Sequence, residues 1–220
     1  MKKRIYGITL LFLLCFLFLG CGGEIKISIF TRDLQDVLAS RNEVIYTNVN
    51  IIVESLQDEN DISFLRNCLN GFSNEHIIEY NYSTSLSFDI KVPIIRDGTN
   101  LDFSKDLLII EGKNNNDNLD FYVKYNRDLL SRIDRYFYNT HYQNIELSKF
   151  KIRMEINNDE RKSLNLITYS AYVNGKAYPF EHNEELKERD RITVEISEIF
   201  GKYISNMNEY EKKYPIFSIK

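Results

Sequence analysis

The sequence predicts an α+β fold: a mixed, mainly antiparallel sheet with hairpins and three to four short amphipathic helices. Three observations carry that expectation. Stretches that alternate apolar and polar residues with period two are interleaved with stretches whose apolar residues recur at helical spacing. Strand-like segments come in pairs joined by short polar turns, the pattern of hairpins. No regular strand-helix-strand rhythm is present, so a doubly wound parallel sheet is not indicated.

Taken in order, Ile25, Ile27 and Ile29 alternate with Lys26 and Ser28, and Thr31 is suited to cap a helix over 32–39 whose Leu34, Val37 and Leu38 share a face. Residues 47–54 read as the next strand. A second helix, 62–70, opens at the cap-like Asn60-Asp61 and closes at Gly71. Leu86, Phe88, Ile90 and Val92 then alternate with polar residues, and Pro93 is expected to end that strand or to put it at an edge. The run 106–111, the polar turn 113–118 and the alternating Leu119, Phe121, Val123 and Tyr125 form a hairpin pattern. Asn126 caps a third helix with the stripe Leu129, Leu130, Ile133 and Phe137.

A second strand-rich block follows. Phe150, Ile152, Met154 and Ile156 alternate, Asn157-Asn158-Asp159 turns the chain, and 164–173 returns. Asn174-Gly175 is a strong type I′ hairpin signal, because both central positions of that turn need positive φ. A polar loop is expected over 181–191, then a strand with Ile192, Val194 and Ile196. Ser197 caps a last helix carrying Ile199, Tyr203, Met207 and Tyr210, and 214–219 is a possible final strand.

The first twenty residues do not belong to this globular pattern. Lys2, Lys3 and Arg4 precede a largely apolar run over 8–19, which ends at Phe18-Leu19-Gly20-Cys21. That order is a secretory signal, giving a signal peptide over 1–20 and one domain over 21–220. The run falls short of the roughly 20 apolar residues that a membrane span needs. Phe18 also fits poorly with the small-x-small site of an ordinary signal peptidase. The junction instead resembles bacterial lipoprotein signals, with Phe18 where Leu is usual, and the resemblance implies that Cys21 becomes the first mature residue and is acylated. Each buried acyl methylene then stabilises membrane attachment by about 0.8 kcal/mol. Only Gly22 and Gly23 separate Cys21 from the first alternating segment, so the tether is short.

Cys15 lies in the apolar run and Cys21 is the lipidation site, which leaves Cys68 as the single remaining thiol. It shares a helical face with Leu65 and Leu69 and reads as a small buried hydrophobe. Without residues 1–20 the chain carries 25 Lys+Arg against 32 Asp+Glu, a net charge of −7. Such a balance is unsuited to nucleic acid, which selects a basic footprint.

The sequence carries no Gly-rich phosphate loop, Gly-x-Ser-x-Gly elbow, Cys-x-x-Cys pair or His-Glu-x-x-His helix. His76, with Glu75 and Glu79, has no second His close by to complete a helical zinc site. His141 reads as a helix-end residue and His182 as part of the polar loop. Asp58-Glu59-Asn60-Asp61 is best explained by helix capping, and the Asn- and Asp-rich 114–120 by a solvated turn. No cofactor is implied. Fifteen tyrosines and no tryptophan raise the expectation of an interface at Tyr136, Tyr138 and Tyr142 beside the third helix and Tyr169, Tyr172 and Tyr178 in the late hairpin. The competing explanation is that tyrosine favours half-buried strands.

Beyond the signal, residues 25–34, 172–180 and 189–194 resemble small uncharacterised lipoproteins of bacteria and their phages. That resemblance implies an envelope-facing accessory protein and supplies no site residues. The functional expectation is a non-enzymatic, membrane-anchored envelope module whose partners are the membrane, through acylated Cys21, and another envelope protein. The alternatives are an envelope hydrolase with dispersed residues, or a carrier of a lipid or small ligand.

Overall fold

Period-two alternation in the first segment produces a strand that is apolar on one side. In the computed structural model, which describes residues 21–39, 43–100, 102–206 and 214–220, this is β1 (Cys21–Phe30), with Ile25, Ile27 and Ile29 fully buried. The expected leader and cleavage junction upstream of Cys21 lie outside the described residues, as do Met207 and Tyr210 of the expected last helix.

The chain continues through α1 (Thr31–Leu38), β2 (Val44–Glu54), α2 (Glu59–Cys68), β3 (Ser73–Tyr80), β4 (Ser83–Arg96), β5 (Leu108–Asn115), β6 (Asn118–Tyr125) and α3 (Arg127–His141). It then forms β7 (Ile145–Asn157), β8 (Leu164–Val173), β9 (Lys176–Leu186), β10 (Arg191–Ile196), α4 (Glu198–Asn206) and β11 (Phe217–Ile219). The architecture is α+β, with a mixed and mainly antiparallel sheet. The parallel pairs are β1 with β7 and β4 with β5. Among the described residues no helix is long and apolar enough to cross a membrane.

The sheet runs β10-β7-β1-β2-β4-β5-β6-β11-β8-β9, and β10 also pairs with β8. Strands β10 and β11 therefore lie along the same strand at Ala171 to Val173 and Leu166 to Thr168, both antiparallel to it. Between β10 and β11 the path takes seven steps, five of them antiparallel. An odd number of reversals in a flat sheet would leave those two strands pointing in opposite directions. Neighbouring strands twist by about 20–25°, so seven steps accumulate roughly half a turn and restore the agreement. The result is a strongly coiled sheet converging on β8, distinct from a regular barrel.

The inward faces of these strands and the apolar stripes of all four helices form one hydrophobic cluster. The space left between α2, α3 and the sheet is about 30 Å³ and wholly apolar in its lining, room for little more than one water with nothing to bind it. Gly23 sits where β1 passes closest to its neighbours. A Cβ there would lie 2.0 Å from the Ile52 carbonyl oxygen and 2.6 Å from the Phe150 ring.

Several expected details take another form. Phe30, not Thr31, occupies the N-cap of α1 without a side-chain bond, because Thr31 is buried and its hydroxyl donates to Asn158 Oδ1 at 3.2 Å. Asp58 caps α2 by accepting from the Asn60 N–H. β4 continues through Pro93. The Lys91 N–H, two residues earlier, points away from β2 to the Asn70 carbonyl, and on that side Pro93 falls between the stretches paired with β3 and β5. A residue without an N–H is tolerated at such a local gap. The expected polar loop 181–191 is largely β9, and the segment containing His76 is β3.

Candidate functional site

The alternation that turns Phe121 and Val123 inward turns Asp120 and Tyr122 outward on β6. A bulge at Ser170, whose φ is 47°, keeps Thr168 and Ala171 both buried and leaves Tyr169 and Ser170 on the outer side of β8. The Ser170 hydroxyl meets that of Ser197 at 2.9 Å, and Ser197 caps α4 by accepting from the Phe200 N–H. These contacts tie the start of α4 to β8. Between them, β9 and the tip of the β5–β6 hairpin lies an open cleft of about 980 Å³.

Aromatic rings dominate the cleft. Tyr122 and Tyr169 form its floor, Phe180 one wall, and Tyr203 with Tyr214 the other, the last two in edge contact. Phe180 and Ile199 at the rim are each 81% exposed, an apolar pair that water solvates poorly. Beneath the rings runs a polar network. Buried Asp120 accepts from the Ser218 hydroxyl on one oxygen and from Asn115 Nδ2 at 2.9 Å on the other. Ser218 Oγ also lies 3.2 Å from Tyr169 Oη. Burial, reinforced by the neighbouring Asp120 carboxylate, pushes the Tyr122 phenol up to about 12.

The arrangement can stack flat or apolar groups against rings and offer Lys113, Asn115 and Asn118 at the rim for polar contacts. Among the described residues no group of three or more His, Cys, Asp or Glu is placed to hold a metal ion.

The six tyrosines singled out from sequence fall into two places. Tyr169 belongs to the cleft floor. Tyr178 stacks on His182 with centroids 3.6 Å apart, and Tyr172 is exposed on β8. At the other site, Tyr136 stacks on Phe64 at 3.7 Å, while Tyr138 and Tyr142 meet edge to face at the exposed end of α3. No ring contact among the described residues joins the two sets.

His141 is more specifically placed than a helix-end residue. Its Nε2 lies 3.0 and 2.9 Å from the two oxygens of Asp61, which is nearly fully buried. A carboxylate only accepts, so this nitrogen carries the proton. Desolvation, then the hydrogen bond to Asp61, holds the Tyr136 phenol above its ordinary value. Asp61 thus joins α2 to α3. His182 faces Glu184 at 3.3 Å on β9. Cys68 is buried, as its helical face suggests.

Sequence reading missed the cleft because its parts are spread from Lys113 to Pro215. The available signal was the set of outward aromatics on strands already visible, Tyr122 above all.

The fold and cleft define a coiled α+β sheet with an aromatic surface groove. Within that class the chain belongs to the family described as a domain of unknown function, DUF7424, whose model matches residues 23–219. No curated protein and no solved structure matches the chain.

Proposed function

We propose that the protein is a lipid-anchored lipoprotein of the bacterial envelope, acting as a non-enzymatic interaction module whose partner is another envelope protein. The observation that carries this reading is the position of Cys21: it follows a basic and then apolar leader and is the first residue of β1, paired with Ile145 of β7. Acylation there would join the lipid to the sheet without a flexible linker. The family domain, which starts at residue 23, is compatible with a separate leader ahead of it.

The recognition surface on this reading is the aromatic cleft. A hydrolase would bring a histidine and two carboxylates together in a pocket; His141 meets Asp61 and His182 meets Glu184, and neither histidine lines the cleft. Carriage of a small ligand is the second reading, favoured by a cleft volume near the upper end of the roughly 300–1,000 Å³ usual for ligand pockets.

Metabolic labelling with radioactive palmitate, followed by membrane fractionation, tests the anchor. The Cys21→Ser variant is expected to lose the label and either leave the membrane fraction or persist as uncleaved precursor. Labelling and fractionation identical to the parent would overturn the reading.

A further inference from the structure

The end of the sheet that carries Cys21 is bordered by exposed tyrosines on both sides. On one side, β7 pairs Cys21 with Ile145, and Tyr142 lies three residues earlier, within roughly 11 Å along even a fully extended chain. Tyr142 is 83% exposed and its ring meets that of exposed Tyr138. On the other side, the Glu54 carboxylate links the neighbouring strands: one oxygen approaches Gly22, and the other accepts from Asn81 Nδ2 at 2.8 Å. Next to Asn81, at the turn between β3 and β4, Tyr82 is fully exposed. Asn81, Tyr82 and Tyr142 all hold positive φ, so these rings stand on sharp turns.

We propose that this end of the domain is a membrane-docking face, with Tyr82, Tyr138 and Tyr142 seated at the headgroup level of the bilayer that holds the Cys21 acyl chains. The inference rests on the lipoprotein reading and extends it from an anchor to a fixed orientation. The occupant follows from the sequence ahead of Cys21. Twenty residues, mostly apolar, precede it, and a lipid-bearing Cys21 at this face brings the bilayer within reach of these rings. Tyrosine has the chemistry for it: a ring that leaves water and a hydroxyl that stays at the polar boundary. The charged side chains nearest Gly22 are Glu54 and Lys149, the latter paired with Glu146 at 3.1 Å, so contact is expected to draw on ring burial more than on anionic lipid.

The chain has no tryptophan, which makes a single introduced indole an unambiguous probe. Tyr82→Trp and Tyr142→Trp lipoproteins, each purified from membranes, would be placed in phosphatidylcholine vesicles whose acyl chains are brominated near the headgroup. Tyr46→Trp is the control: Tyr46 is exposed and sits eight residues from Glu54 along β2, roughly 27 Å away at about 3.4 Å per residue. Blue-shifted, strongly quenched emission at positions 82 and 142 with unquenched emission at 46 is the expected result. Equal emission from all three positions, bright or quenched, in protein whose Cys21 peptide carries acyl mass overturns the docked orientation and leaves the anchor standing. A Cys21 peptide of unmodified mass overturns both.

Discussion

At the residue scale, Asn158 shows how much one side chain can hold. It is almost completely buried. Its amide donates to the carbonyls of Lys162, Leu186 and Lys187, and its Oδ1 accepts from Thr31 and from the Glu160 N–H. The β7–β8 connection, the β9–β10 connection and the start of α1 therefore share one amide group. Asn158→Asp retains the shape but replaces a donor by an acceptor facing three carbonyls. A loss of about 3 kcal/mol in urea unfolding is expected, of the order found when buried polar groups lose their partners. Tyr122 supplies a prediction in pH. A tyrosine ionises near pH 10 when unfolded, and in the fold Tyr122 is pushed up to about 12. Because the folded value is the higher one, its contribution to stability is complete below about pH 10 and is lost as the pH rises towards 12. Ultraviolet tyrosinate titration should show a late-ionising component, to which buried Tyr125 also contributes, that shrinks by about one tyrosine in Tyr122→Phe.

At the element scale, β1 is constrained most tightly at Gly23. Gly23→Ala would drive a methyl group into the Ile52 carbonyl and the Phe150 ring, so β1 must separate from β2 or β7. Thermal unfolding of this variant is expected to fall by many degrees, corresponding to about 3 kcal/mol or more, as overpacked sites do. Elements whose signals are local were legible in the sequence. Asn126 does cap α3, its side chain accepting from the Leu129 N–H, and Asn174 and Gly175 both have positive φ in their turn. β3 and the half of β9 from residue 181 on were not legible, for a shared reason: each is largely exposed, so neither has a buried face to impose alternation on the sequence. Glu75, His76 and Glu79 face water much as they would on a helix. The cleft was illegible for a different reason, since it forms only where β6, β8, β9 and α4 converge.

At the scale of the whole molecule, the mixed sheet could be anticipated but its closure could not, because no local pattern reports a half-turn accumulated over seven steps. Strand β11 completes that closure, with Phe217 paired to both Phe121 and Thr168 and fully buried. Removing residues 214–220 should therefore expose the edges of β6 and β8 together. The expected readout is binding of a hydrophobic dye and loss of amide protection at the positions paired with β11, 119–121 in β6 and 166–168 in β8, while protection that survived among the amides facing β11 there would show closure without it. This arrangement also orders events in time. Strand β11 bonds on both sides to strands that emerged about fifty and one hundred residues earlier, and such long-range pairing is slow to form. A growing polypeptide can form the β5–β6 and β8–β9 hairpins as they appear, but β6 and β8 cannot be bridged until residues 214–220 have been made.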